Sequence, residues 1–221
     1  MTRAIILTGA DRYDGKWHDH AATSQRIAEI LGEVGIDARL RSTHPRSFGD
    51  LASTDLLVVN AANGVSCADD ADDVAWTEGF ATLNAVREAG VSLLAFHLSA
   101  AAFKEWPEWR RWLGGEWVVG TSMHPPISPA SVTIATADHP VVAGLTGIDV
   151  FDEMYSYLEV EPGNTVLATH TYQDIVQPVA WARDVGPGRV VFDALGHDLR
   201  SYDSADHIQF IQQAARWLLD R

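Results

Sequence analysis

The first half of the chain alternates short, unbroken apolar runs with longer stretches in which apolar residues recur at helical spacing. Unbroken apolar runs are typical of strands that are covered on both faces of a parallel sheet, whereas the helical spacing indicates amphipathic helices. The predicted strands are residues 3–7, 37–41, 55–60 and 91–97. One predicted helix ends at Gly35 and another runs from Ala71 to Glu88. This alternation predicts a doubly wound parallel sheet.

The second half is less regular and predicts a change in strand direction. Its predicted strands are residues 131–135, 165–169, 178–183 and 188–192. The last two flank the turn-rich stretch Asp184-Val-Gly-Pro-Gly, which favours an antiparallel hairpin. A helix from Asp206 to Asp220 closes the chain. We therefore predict an α/β fold in a single domain, residues 1–221, with a mostly parallel sheet and a C-terminal antiparallel hairpin.

Composition and charge narrow the class of partner. The chain has 221 residues, 30 acidic against 16 basic side chains, and a net charge of −14, which argues against nucleic acid and favours a neutral or weakly charged small molecule. The single cysteine, Cys67, excludes a disulfide framework and suits a reducing compartment. The first apolar run is too short for a signal peptide, and no run is long enough to span a membrane. We expect a cytoplasmic protein without a membrane partner. The sequence is compatible with a homo-oligomer.

Histidines mark the place where an open α/β sheet binds its ligands, beyond the carboxyl ends of the strands. His97 and His197 follow two predicted strands, and His18 and His20 lie in the loop after the first strand. Histidine can carry a proton or a metal near neutral pH. The position of His97 resembles a nucleophile elbow, which presents one side chain above the sheet. No glycine pattern of the dinucleotide type follows the first strand, so we expect no nucleotide cofactor.

Each of these residues also has a simpler interpretation. His97 could be a core histidine bonded to the backbone, and His20 could cap a helix or face solvent. Ser99 could act as a nucleophile, but the Gly-x-Ser-x-Gly pattern is absent and most serines near a helix start are caps. His44 and His207 are interpreted as surface positions. A tryptophan-rich segment could stack against sugar rings, although a small satellite core is the interpretation we favour. Its members are Trp106, Trp109, Trp112 and Trp117.

Motifs spread over almost the whole chain resemble those of the ThuA family, the trehalose-utilisation proteins whose fold is similar to class I glutamine amidotransferases. These motifs are Trp17-His-Asp-His20, Ala95-Phe-His-Leu-Ser99, Gly120-Thr-Ser-Met-His-Pro125, Asp152-Glu-Met-Tyr155, Pro178-Val-Ala-Trp181 continuing to Phe192, and Leu195-Gly-His-Asp198. The resemblance implies a flavodoxin-like sheet. It also implies a pocket that contains His18, His97, His124, Glu153 and His197.

The chain departs from the family's pattern at the elbow, where Phe96 replaces the more usual leucine. Because Phe96 would narrow the pocket, the resemblance does not define which substrate binds. Glutamine amidotransferases need a cysteine at the elbow, and His97 stands there instead, so we do not expect that activity.

The clustered histidines and the family's link to disaccharide utilisation predict an enzyme acting on a small carbohydrate such as trehalose or a keto-sugar. His18, His97 and His197 would hold a divalent metal such as zinc. His97, Glu153 and His197 form the expected catalytic set, with Glu153 or a free histidine moving a proton next to a sugar carbonyl. The expected substrate-binding residues are Trp17, His124, Tyr155 and Asp198.

Two alternatives from other classes stay open. The first is a non-catalytic sugar-binding or scaffold protein, because a fold does not fix a function. The second is a serine hydrolase that uses Ser99 with His197.

Overall fold

The structure, a computed structural model, describes residues 2–63, 67 and 70–220. Its strands are β1 (Thr2–Thr8), β2 (Ile36–Ser42), β3 (Leu56–Asn60), β4 (Ser92–Phe96), β5 (Gly115–Glu116), β6 (Ser128–Ile134), β7 (Gly147–Asp152), β8 (Glu159–Val160), β9 (Thr165–Tyr172), β10 (Ile175–Val185) and β11 (Gly188–Asp193). Its α-helices are α1 (His20–Gly32), α2 (Asp73–Glu88), α3 (Glu108–Leu113) and α4 (Ala205–Leu219).

Within the described residues, nine strands form one sheet in the order β2-β1-β3-β4-β11-β10-β9-β6-β7. The strands from β2 to β11 in this order pair in parallel. From β11 to β7 every pairing is antiparallel. The predicted α/β, flavodoxin-like doubly wound fold is confirmed, and so is the antiparallel hairpin of β10 and β11, which continues into a larger antiparallel extension.

The parallel half is where the apolar runs of the sequence lie. Every residue of β3 and β4 is buried, which explains why these strands read as unbroken apolar stretches rather than as alternating ones. Helices α1 and α4 contact each other, and α4 also contacts β4 and β11. The loops that leave the carboxyl ends of these central strands are therefore held by a rigid core.

The antiparallel half differs most from the prediction. Strand β7 was not predicted: it lies at the edge of the sheet, and three of its six residues are glycine or aspartate, which are uncommon in strands. The hairpin of β9 and β10 turns at Gln173 and Asp174, whose φ angles are 49° and 63°. Such a turn favours Asn-Gly or Asp-Gly, so this sequence gives a weak signal and the two strands run further than predicted.

Two histidine predictions were wrong. His44 is only 8% exposed and His207 is fully buried. The ring of His207 lies between two acceptors, since its Nε2 is 2.8 Å from Asp193 Oδ2 and its Nδ1 is 3.0 Å from the Ser201 carbonyl oxygen. A buried carboxylate partner makes this internal position favourable for a histidine.

The tryptophan-rich segment divides into two parts. Trp106, Trp109 and Trp112 are buried and belong to the main hydrophobic core, rather than to the separate satellite core that the sequence favoured. Trp117 is partly buried and packs edge-on against Tyr155, with ring centroids 4.7 Å apart. Among the described residues, no helix has the length and apolar character needed to cross a membrane.

Candidate active site

Four chain segments deliver their side chains to one edge of the sheet. His18 lies in the loop after β1, His97 directly follows β4, and His197 follows β11. These three strands are parallel, so their carboxyl ends meet at the same edge. Glu153 directly follows β7, which runs in the same direction as β11 because four successive antiparallel pairings separate them.

The backbone at His97 has the conformation expected of an elbow. Its φ is 44°, a left-handed value that is uncommon for residues other than glycine, asparagine and aspartate and tends to occur at functional sites. Nδ1 lies 2.7 Å from the Ala194 carbonyl oxygen, so Nδ1 carries the proton and donates it there. Nε2 consequently faces the pocket, where Tyr155 Oη and His18 Nε2 lie 2.9 and 3.2 Å away.

Glu153 is the acid at the centre of the histidines. Its Oε2 lies 3.2 Å from His197 Nδ1 and 3.6 Å from His97 Nε2, and its Oε1 lies 3.5 Å from His124 Nδ1. Burial acts to raise the pKa of Glu153, but the contacts with His197 and His97 outweigh it and hold the pKa well below its usual value. The Glu153 carboxylate in turn raises the pKa of His197. Glu153 is therefore an anion at neutral pH.

The pKa of His18 is shifted in the opposite direction from that of His197. Burial, followed by the nearby His97 and His197, lowers the pKa of His18 to about 2. His18 is thus a neutral imidazole, the form that binds metals. Behind it, His20 is buried at the start of α1, with its ring centroid 5.5 Å from that of His18. The helix cap is Asp19, whose side chain accepts from the Ala22 amide, so His20 neither caps the helix nor faces solvent.

A buried aspartate that sequence reasoning missed joins two of the four segments. The carboxylate of Asp152 is fully buried and accepts hydrogen bonds from the amides of Glu153 at 2.7 Å, Gly196 at 2.7 Å and His197 at 3.2 Å. Gly196 has a φ of 120°, and a Cβ there would lie 2.5 Å from Tyr202 Oη. The only signal in the sequence was the place of Asp152 next to Glu153 in a family motif.

A cavity of about 550 Å³ opens above these groups. Its lining residues are Trp17, His18, Asn63, Leu98, Ala101, Lys104, Trp117, Val119, His124, Glu153, Tyr155 and His197. Trp17 and Val119 are 74% and 76% exposed and stand at its mouth. The cavity thus has a polar floor of histidines and Glu153, and walls that are largely apolar and aromatic.

The structure brings most of the predicted site residues together. Trp17, His18, His124, Glu153, Tyr155 and His197 line the cavity, and His97 lies directly beneath it. Asp198 is placed elsewhere: it accepts from the Arg200 amide at 2.9 Å, pairs with the Arg200 guanidinium and is not a lining residue. Asn63, Leu98, Ala101, Lys104 and Val119 also line the cavity and were not predicted.

Ser99 has a structural role. Its hydroxyl donates to the Val59 carbonyl oxygen at 2.9 Å and accepts from the Ala61 amide at 3.3 Å, and the residue has no exposed surface. A hydroxyl held between two backbone groups has no path to a substrate in the cavity. The geometry therefore gives no support to a hydrolase built on Ser99.

The donor set at the floor of the cavity fits a divalent metal. The ligating atoms of His18, His97, Glu153 and His197 all lie within 4.8 Å of one another. Their closest separations are 3.2, 3.2 and 3.6 Å. Tetrahedral zinc with bonds of about 2.0–2.2 Å separates its ligands by about 3.3–3.6 Å. Neutral imidazoles and a carboxylate are ligands that suit zinc and similar borderline cations.

Comparisons with known proteins agree with this architecture. The model of a family described as ThuA, trehalose utilisation, matches residues 3–218. A ThuA-like protein of Parabacteroides merdae is 16% identical, with a TM-score of 0.78 over 99% of this chain and 90% of that chain. A second ThuA-like protein, of Bacteroides uniformis, is 15% identical, with a TM-score of 0.76 over 100% of this chain and 92% of that chain.

A more distant similarity extends the fold assignment. A protein of Thermoplasma acidophilum described as a GMP synthase component is 14% identical, with a TM-score of 0.59 over 98% of this chain and 96% of that chain. At these identities the similarity establishes a shared fold. No curated protein sequence matches the chain.

Proposed function

The chain belongs to the ThuA family, and from that premise we propose that it is an enzyme of carbohydrate utilisation, in which a metal-assisted His/Glu pocket moves a proton on a sugar or keto-sugar. The observation that carries the proposal is the convergence of His18, His97, Glu153 and His197 within 4.8 Å at the floor of one cavity. Structural ion pairs rarely need three histidines around one buried carboxylate, whereas metal and proton-transfer sites do.

Three of these residues act as metal ligands in the proposal. His18, His97 and His197 would hold a divalent cation such as zinc, and the hydrogen bond from His97 Nδ1 to the Ala194 carbonyl oxygen orients the ring so that Nε2 is available as a ligand. A catalytic zinc keeps a position open for substrate beside three protein ligands. When bound, the metal would polarise a sugar carbonyl or hydroxyl.

Glu153 is the proposed base. Its carboxylate is ionised and lies next to the open side of the histidine cluster. It would take a proton from the carbon next to a polarised carbonyl, the step shared by isomerisation and elimination. In an isomerisation it would return the proton to a neighbouring atom, and in an elimination it would give the proton to the departing hydroxyl or alkoxide. Tyr155 Oη and His124 stand on the same side and would hold the substrate's oxygens.

Metal analysis tests the first part of this proposal. Protein purified without an affinity tag should contain about one divalent ion per chain by mass spectrometry, as expected for a site with several protein ligands. His97→Ala should lose the ion. His139→Asn is the matched control, because His139 packs against Trp217 and caps residues 140–142, outside the cluster. A wild-type protein that is metal-free and gains no ion from added zinc contradicts the metal site.

Substrate screening with Glu153→Gln tests the chemical step. Mono- and disaccharides and their keto derivatives are screened with and without added zinc. Glu153→Gln should lower kcat by at least about 10²-fold, the typical contribution of a general base, while substrate binding changes only a few-fold. If wild type binds sugars without turnover and Glu153→Gln binds them equally well, the chain is a sugar-binding or scaffold protein instead.

A further inference from the structure

Lysine is rare in this chain and is confined to one place. The sequence has 16 basic residues, but lysine occurs only at positions 16 and 104. Lys104 lines the cavity of the candidate site. The ammonium group of Lys16 lies 4.6 Å from the ring centroid of Trp17, which lines the same cavity. Both lysines are exposed, so one lysine lines the cavity and the other contacts a residue that lines it.

Among the described residues, no carboxylate lies within ion-pair distance of the ammonium group of Lys16 or Lys104. Several exposed arginines of the molecule are paired, such as Arg39 with Asp37 and Arg111 with Glu108. A cation that already has a carboxylate partner must lose it to bind a ligand, whereas Lys16 and Lys104 are free to bind one.

Each lysine lies on a chain segment that also supplies a histidine of the site. The loop after β1 carries Lys16 beside Trp17 and His18, both of which line the cavity. The segment that follows β4 carries His97, then the lining residues Leu98 and Ala101, and then Lys104. The two lysines therefore come from two of the segments that build the site.

The charge of the cavity is unlike that of the protein. The molecule carries a net charge of −14. Among the lining residues, however, Lys104 and Glu153 are the two with permanent charges, and Glu153 is already in contact with His197, His97 and His124. A cleft with low-dielectric walls focuses the field of local charges, so Lys104 offers an entering ligand a positive group that is not already in contact with a carboxylate of the described residues.

We infer that the substrate is a sugar derivative with an anionic group, a carboxylate or a phosphate, which pairs with Lys104 and Lys16 at the mouth of the cavity. The sugar ring or chain lies against Trp17 and Trp117, and the reacting carbons reach the histidines and Glu153. This orientation rests on the proposed function. An anionic substrate differs from the neutral or weakly charged small molecule that the net charge favours, because the local charges of a cleft, and not the net charge of the protein, decide which ligand enters it.

Binding of matched probes tests the inference. D-glucose, D-glucuronate and D-glucose 6-phosphate are titrated calorimetrically into zinc-loaded and EDTA-treated protein at low ionic strength. Wild type should bind at least one anion about tenfold more tightly than glucose, the effect of a charge-assisted hydrogen bond. The Lys16→Gln/Lys104→Gln variant should reduce this preference to about twofold or less. Comparing glucuronate with the phosphate ester shows which anion the cavity takes.

A matched control separates local from overall charge. Arg26→Gln/Arg39→Gln removes two positive charges from α1 and β2, outside the cavity, and should keep the tenfold preference. All the substituted side chains reach solvent, and an unchanged Tm shows that the variants are folded. Glucose binding as tightly as both anions, no binding of any probe, or a preference that survives the loss of both lysines overturns the inference.

The same experiment distinguishes this inference from the function on which it rests. If the protein prefers anions in a lysine-dependent way but binds no metal and turns over no substrate, the proposed enzyme is contradicted and the anion site stands. If the protein turns over neutral sugars with a KM that does not depend on the lysines, the anion site is contradicted and the proposed enzyme stands.

Discussion

At the scale of single residues, the role of each histidine follows from what faces its two ring nitrogens. His97 has the Ala194 carbonyl oxygen on one side of its ring, and on the other side a hydroxyl and a second imidazole at the cavity. His207 has acceptors on both sides, the Ser201 carbonyl and the Asp193 carboxylate, and an imidazolium satisfies both. Both ring nitrogens of His207 are thus tied to internal acceptors, whereas one ring nitrogen of His97 faces the site.

The charged state of His207 gives a pH-dependent stability. Burial acts to lower the pKa of His207, but Asp193 and the Ser201 carbonyl together raise it above the ordinary value of 6.5. A raised pKa in the folded state means that the stabilisation is fully present below pH 6.5 and is lost as the pH rises through the folded-state pKa. Between about pH 6.5 and 9, the free energy of unfolding should therefore fall more steeply for wild type than for His207→Gln.

Chemical denaturation at several pH values measures this difference. The comparison of slopes isolates His207, because the other titrating groups are common to both proteins. Parallel curves for wild type and His207→Gln would show that His207 does not change its protonation on unfolding in this range.

At the scale of elements, the site depends on how the end of β7 is tied to the loop after β11. Asp152 makes this connection, since its carboxylate holds the amide of Glu153 on one segment and the amides of Gly196 and His197 on the other. A buried carboxylate that accepts three backbone hydrogen bonds fixes both segments relative to each other. The side chains of Glu153 and His197, which lie 3.2 Å apart, are thus aligned through their backbones.

Replacing Asp152 with asparagine should loosen this connection. Asparagine keeps one acceptor oxygen but turns an NH₂ group toward an amide donor, which costs about 1–3 kcal/mol of stability for the group left unpaired. Because Asp152 positions a metal ligand from behind, zinc affinity should also fall by about 10–100-fold.

Comparing the loss of zinc affinity with the loss of stability shows whether Asp152 supports the site or only the fold. Zinc titration and urea unfolding are compared with those of Asp149→Asn, which changes an exposed aspartate on the same strand. Asp149→Asn should leave zinc affinity unchanged. If Asp152→Asn is destabilised but binds zinc as wild type does, Asp152 supports the fold and not the site.

At the scale of the whole molecule, the sequence predicts the parallel half well and the antiparallel half poorly. Buried parallel strands such as β3 and β4 appear in the sequence as apolar runs, whereas β7 lies at the sheet edge and mixes polar with apolar positions. The histidines that follow strands were predicted from topology alone. Glu153 came from the family resemblance, because a lone glutamate in a loop carries no periodic signal.

Some residues were missed although a signal existed. His207 shares the buried face of α4 with Ile211, Ala214 and Leu218, at helical spacing, so the periodicity could have placed it inside. Lys104 and Asp152 had no such signal, because their roles depend on which distant segments the fold brings next to them.

The proposed metal site would also bear on the stability of the whole molecule, because its ligands come from segments far apart in the chain. A cation that binds His18, His97 and His197 ties together the loops after β1, β4 and β11, and it binds the folded state far better than the unfolded chain. At about a hundredfold excess over Kd, such binding adds about 2.7 kcal/mol to the free energy of unfolding. For a domain of this size that corresponds to a rise in Tm of about 5–10 °C.

Thermal unfolding with added zinc, added magnesium or EDTA measures this effect. Magnesium should give little shift, because it prefers oxygen ligands in octahedral geometry over imidazoles. His97→Ala should abolish the response to zinc, and His139→Asn should retain it. If zinc raises the Tm of wild type and of His97→Ala equally, zinc binds elsewhere on the surface. The loops at the carboxyl edge of the sheet would then be held only by protein contacts such as those of Asp152.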